Sequence, residues 1–147
     1  MADWAPKVIV VGVDGSEQSL HAADTAASLA GTYKATLHVV TVVRPPEGWW
    51  GIVGSPPTPA ALSESLTQAQ HDALDAAVGG LDLDGVDYVT SEEIGDPAHV
   101  LMAYAADAGA DLLILGKRGA GLLERIVLGS VASRVAHHSP CPVMLVP

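Results

Sequence analysis

Apolar and polar positions in this chain fall into blocks whose periods differ. KVIVVGVD is a continuous β-branched run, the pattern of a strand buried on both faces, and ATLHVVTVV (residues 35–43) and DLLILG repeat it. Between the first two runs, Leu20, Ala23, Ala27 and Ala30 recur at helical spacing, with Ser16 placed as N-cap and Gly31 as the expected stop. Residues 44–57 (RPPEGWWGIVGSPP) are too rich in Pro and Gly for either regular state. Thr58 and Pro59 then read as cap and first-turn pair of a helix reaching Val78. GVDYVTSEEI is a third strand, more polar and so nearer a sheet edge. Asp96-Pro97 repeats the cap-and-proline opening of a helix that closes at Gly109. DLLILG is the fourth strand, Ser130–His138 a last helix, and VMLV a short fifth strand.

Parallel strands need crossovers, so five apolar strands separated by helical segments predict an α/β fold. The expected architecture is a single-domain Rossmann-like open sheet of five mainly parallel strands, with helices on both faces, spanning residues 1–147. No internal repeat or linker divides it. The expected strand order is 3-2-1-4-5, although periodicity alone also admits a flavodoxin-like order. With the first strand central, a crevice opens at the carboxyl ends of strands one and four. Val13-Asp14-Gly15-Ser16 and the stretch after DLLILG would meet there.

That stretch, GKRGAGLLERIVLGSV (116–131), gathers four glycines and three of the chain's seven basic residues. The surroundings are acidic: seventeen Asp and Glu give a net charge of −10, which repels nucleic acid and anionic membrane. An anionic ligand would need a local positive patch. Lys117, Arg118, Arg125 and Arg134 supply one, with an ordinary solvated helix face as the plain alternative. No apolar run approaches the roughly 20 residues that span a bilayer, and MADWAPK lacks the look of a signal peptide. A lone cysteine, Cys141, forms no internal disulfide, which fits a reducing cytoplasm.

A phosphate chain is best held by backbone N–H groups at a helix N-terminus, where the donors lack intrahelical partners. Gly129-Ser130-Val131 is placed for that role, and Gly116 and Gly119 would let the chain turn tightly beneath the same phosphates. A long turn after a strand would also use such glycines. GxxxxGK[ST] and GxGxxG are both absent, which argues against a Walker-type NTPase and a Rossmann dehydrogenase.

Gly116, Gly119 and Gly129-Ser130 have the spacing G-x2-G-x9-G-S, which resembles the ATP-binding branch of the universal stress protein family. VIVVGVDGSEQS, LHVV, GDPAHVL, ADLLILGKRG and CPVMLV are similar to that family in order and spacing, leaving out residues 44–60. The resemblance implies a stress-response or regulatory module that binds ATP, alone or with Mg2+. It implies that Val13 and Asp14 end the first strand at the ligand, Asp14 reaching the ribose or a phosphate-bound metal. Val39 would meet adenine through its backbone and Leu115 would line the apolar side. Gly116 and Gly119 would lie along the phosphates, with Gly129, Ser130 and Val131 at their distal end. It also implies a homodimer through the C-terminal strand, whose apolar edge otherwise needs cover. It names no regulatory protein partner.

Other conspicuous residues read as structural. His137 and His138 suit a helix C-terminus, His38 reads as a satisfied core histidine, and Cys141 as a packed small hydrophobe. Trp49 and Trp50 cannot both enter one core, and either could cover a ligand or a partner. Three functions remain open at this point: a nucleotide-binding regulatory module, a slow ATPase or phosphoryl-transfer enzyme, and a structural dimer without nucleotide. No catalytic residue is assigned, because the motif offers no positioned base besides Asp14 and no assignable arginine finger, although Glu124 and Arg125 lie in the motif and could be recruited.

Overall fold

The computed structural model describes residues 3–44, 59–118 and 128–147, with the backbone alone over 59–67. Along the chain run β1 (Val8–Gly12), α1 (Glu17–Tyr33), β2 (Thr36–Val43), α2 (Pro59–Gly79), β3 (Tyr88–Ile94), α3 (Pro97–Ala108), β4 (Leu112–Gly116), α4 (Ser130–His138) and β5 (Val143–Val146). The strands form one sheet in the order β3-β2-β1-β4-β5, and every neighbouring pair is parallel. The expected α/β architecture and strand order are therefore those of the molecule, and the flavodoxin-like order is excluded.

Alternation within the strands sorts side chains onto two layers. Ile9, Val11, Val13, Leu37, Val39, Leu112 and Ile114 pack on one face, under α1 and α2. Val10, Val40, Leu113 and Leu115 pack on the other, under α3 and α4. Burying each large aliphatic contributes about 1.5–3 kcal/mol, and Val10, Leu113 and Ile114 have no exposed surface at all. The face that α1 turns inward is nearly all alanine (Ala22, Ala23, Ala26, Ala27, Ala30), which lets the helix lie close to the sheet.

Caps and braces fix the ends. Ser16 Oγ accepts the Ser19 N–H at the start of α1, and Asp96 accepts the His99 N–H at the start of α3, with Pro97 following it. The expected stop at Gly31 is corrected: α1 runs on to Tyr33, and Lys34 adopts the left-handed conformation (φ 56°). Lys34 and Ala35 both turn back to the Ala30 carbonyl, so the reversal falls directly before β2. Gly109 closes α3 in the left-handed region as expected. Thr58 lies outside the described residues. Gln70 is buried on α2, and its amide donates to the carbonyls of Thr41 (2.9 Å) and Glu93 (2.7 Å), tying that helix to β2 and β3.

Two histidines respond to pH in opposite directions. His38 Nδ1 meets the Tyr104 hydroxyl at 2.8 Å, and burial pushes the imidazole pKa down. Its folded form takes a proton less readily than the unfolded chain, so acidification below the ordinary value of about 6.5 removes stability. His71, on the surface of α2, hydrogen-bonds Glu92 and pairs with Asp75, which push its pKa up. Its contribution is fully present below the ordinary value and is lost as pH rises through the folded pKa. The two effects oppose each other on acidification. Thermal melts of His71→Gln should therefore fall more steeply than wild type between about pH 7.5 and about pH 5.5. Parallel falls in the two proteins would show that the His71 pairs carry no weight.

Candidate functional site

The winding reverses between β1 and β4, and a cleft of about 120 Å3 opens at the carboxyl ends of those strands. Val13, Asp14, Leu115, Gly116 and Val131, all singled out in the sequence, line it together. Leu101 of α3 and Val40 and Val42 of β2 complete its apolar wall. One side is therefore a greasy slot between sheet and helices. The other side is backbone and polar groups.

The turn from β1 into α1 makes the polar rim. The Val13 N–H donates to the Val40 carbonyl, prolonging the sheet beyond Gly12. Gly15 then turns with φ +85°, a conformation that side chains resist, so Asp14 is set at the crest of the turn. Asp14 Oδ1 accepts the Ser16 N–H at 2.9 Å, its N–H meets Ser19 Oγ at 3.3 Å, and that hydroxyl donates to the Ser16 carbonyl. Asp14 is thus exposed at the edge of the cleft, its carboxylate held by the turn.

Opposite stands the start of α4. The Lys117 N–H donates to the Val146 carbonyl, and the Lys117 carbonyl accepts the Gly129 N–H at 2.9 Å. Lys117 thus ties the end of β4 to β5 and to the N-cap of α4. Gly129 is the N-cap and offers no side-chain hydrogen bond, whereas Ser16 and Asp96 cap α1 and α3. The first helical bond of α4 runs from the Ser133 N–H to the Gly129 carbonyl. Among the described residues, the N–H groups of Ser130, Val131 and Ala132 have no acceptor. An anion is what such a helix start accepts.

Several sequence expectations change position. Val39, expected to act through its backbone, turns its buried side chain into the α1/α2 layer, while the side chains that line the cleft from β2 are those of Val40 and Val42. Gly129 is buried and its N–H is already used by Lys117, so the donors left for a ligand begin at exposed Ser130. Gly116 lies in ordinary strand geometry; a Cβ there would stand 3.0 Å from the Gln18 backbone carbon, so it is close helix approach that requires glycine. Arg134 is hydrogen-bonded to Asp96, which removes it from the expected positive patch. Arg118 does line the cleft. Gly119, Arg125, Trp49 and Trp50 lie outside the described residues.

Sequence reasoning missed Gly12, Pro97 and Leu101. A Cβ on Gly12 would come within 2.7 Å of Leu115 and 2.9 Å of Leu101, so its absence leaves room for both leucines under the cleft. The GxDG pattern at residues 12–15 was the available signal. His38 and Cys141 take the structural places expected of them, and burial pushes the Cys141 thiol pKa up. Among the described residues no group of three or more His, Cys, Asp and Glu is arranged to hold a metal, and no helix is long and apolar enough to cross a membrane.

Comparison with known proteins gives a coherent result. The profile of the universal stress protein family matches residues 6–147. A universal stress protein of Methanocaldococcus jannaschii is 35% identical over 147 residues, covering 95% of this chain and 81% of its own. The structure of the universal stress protein UspA from Lactobacillus plantarum superposes with a TM-score of 0.81 at 26% identity, covering 99% of this chain and 100% of its own. A universal stress protein solved in complex with cAMP shares 30% identity at a TM-score of 0.62, with 98% of each chain covered.

Proposed function

The chain belongs to the universal stress protein family, and on that footing we propose that it binds an adenine nucleotide, ATP in the first instance, in the cleft between β1 and β4. The observation that carries this reading is the start of α4, where three N–H donors with no acceptor among the described residues stand beside an apolar slot. The slot suits a flat, weakly polar base and the donors suit phosphates. Asp14 would face ribose hydroxyls, or Mg2+ on the phosphates; a carboxylate beside bare phosphate oxygens would be repelled. Gly119 belongs to the same reading through its place in the motif, Val39 through its backbone beside the cleft-lining Val40. The relative solved with cAMP supports an adenine nucleotide as the ligand class.

The output we propose is a regulatory one: a liganded conformation or a partner contact in the cytoplasm, with residues 1–147 acting as one domain. A homodimer through β5 belongs to the proposal, because that edge strand is apolar and only partly covered in the single chain. Calorimetric titration with ATP, with and without Mg2+, tests the reading, with AMP and cAMP as competitors and sedimentation for the assembly. Saturable ATP binding without turnover, in particles of two chains, is expected. Failure of every adenine nucleotide to bind would sink it. Turnover that scales with protein and vanishes in Asp14→Ala would favour the slow ATPase instead.

A further inference from the structure

Asp96 does more than cap α3. Its Oδ2 accepts both the His99 N–H (3.0 Å) and Arg134 Nη1 (2.9 Å), while Oδ1 accepts Arg44 Nη2. Arg44 directly follows β2, and Arg134 stands one helical turn beyond Ser130 on α4. One carboxylate therefore joins three elements, and each of them contributes to the cleft wall: Val42 from β2, Pro97 from α3, Val131 and Ala132 from α4. The last of these elements needs the tie most. Of the nine residues of α4 only Ala132 and Val135 are buried, with Val131 partly packed against the same core, so few apolar contacts hold its first turn. The His99 N–H, then the charges of Arg134 and Arg44, hold the Asp96 carboxyl below the usual carboxylate range, which keeps it ionised near neutral pH.

We infer that Asp96 is a positioning residue for the nucleotide site: through Arg134 and Arg44 it holds the first turn of α4 against β2 and α3, so that the N–H donors of Ser130, Val131 and Ala132 face the ligand's phosphates. This rests on the nucleotide-binding reading above. It also assigns Arg134 a bracing role in place of direct phosphate contact.

Asp96→Asn separates the two duties of the side chain, because Asn is as good an N-cap but carries no charge for the arginines. Titrations of this variant, Arg134→Met and the double variant, each with ATP and with adenosine, make the test. ATP should bind about fivefold more weakly to Asp96→Asn, adenosine within about twofold of wild type, and the double variant no worse than either single one. If Arg134→Met weakens ATP further on the Asp96→Asn background, Arg134 touches phosphate itself and the inference fails. An unchanged ratio of ATP to adenosine affinity, with only a lower melting temperature, reduces Asp96 to a stabilising residue and also overturns it. If wild type binds no nucleotide, the functional reading falls, and the brace is judged alone by amide exchange of the ligand-free protein. Ser133, bonded to the Gly129 carbonyl at 2.8 Å, should then exchange about fivefold faster in Asp96→Asn; equal rates would end the proposal.

Discussion

Ser130→Pro should leave the fold intact and weaken ATP binding by about 100-fold, with adenosine affected little. The substitution suits this position unusually well. Ser130 is the first residue of α4, where proline is tolerated because its missing N–H has no helical partner. Gly129 before it already has φ −67° and ψ 160°, the extended geometry that a residue preceding proline requires. What the change does remove is one backbone N–H at the start of α4 and one exposed hydroxyl, the groups that the proposed function gives to phosphate. A hydrogen bond to a charged partner contributes about 1.5–3 kcal/mol, so losing one or two accounts for the hundredfold, about 2.7 kcal/mol. Titration of wild type and variant with ATP and adenosine, alongside far-UV circular dichroism, decides the matter. Equal ATP affinity in a folded variant would mean that phosphates bind elsewhere or that no nucleotide binds at this helix.

Gly116→Ala should destabilise the protein by about 1–3 kcal/mol, lowering the melting temperature by roughly 3–10 °C. The added Cβ would stand 3.0 Å from Gln18 C and Cβ and 3.1 Å from the Gln18 carbonyl oxygen. Two of those atoms are helix backbone, so relief requires moving α1 or the end of β4, and neither moves cheaply in a packed core. Gly12 provides the contrast. Its close neighbours are the methyl ends of Leu115 and Leu101, which can rotate away. A thermal melt of Gly116→Ala matching wild type would show that the helix shifts freely, and would return this glycine to a purely ligand-facing role.

The architecture was readable because each element carried its own signal. β-Branched runs marked strands buried on both faces, and Asp96-Pro97 with Gly109 bracketed α3 correctly. Gly31 misled because glycine permits a helix stop without compelling one; the stop came instead from Lys34 in the left-handed region. The site was readable in outline: Val13, Asp14, Leu115, Gly116 and Val131 do converge. What the sequence could not convey was which face a strand residue takes at the crevice, so the cleft-lining side chains of Val40 and Val42 went unnamed beside Val39. Nor could it convey pairing across the fold. Arg134 looked like a spare cation because Asp96, its partner, lies 38 positions away.

The hydrogen bond from the Gly129 N–H to the Lys117 carbonyl fastens two points of the chain 2.9 Å apart. The N–H of the same Lys117 donates to Val146 of β5, so the end of β4, the edge strand and the start of α4 meet at one residue. Val146 on the sheet edge and the N-cap of α4 beside the cleft are thereby only two hydrogen bonds apart, both made by the backbone of one residue. A change at that edge is therefore felt at the cleft through a single residue, because contacts sharing one network couple.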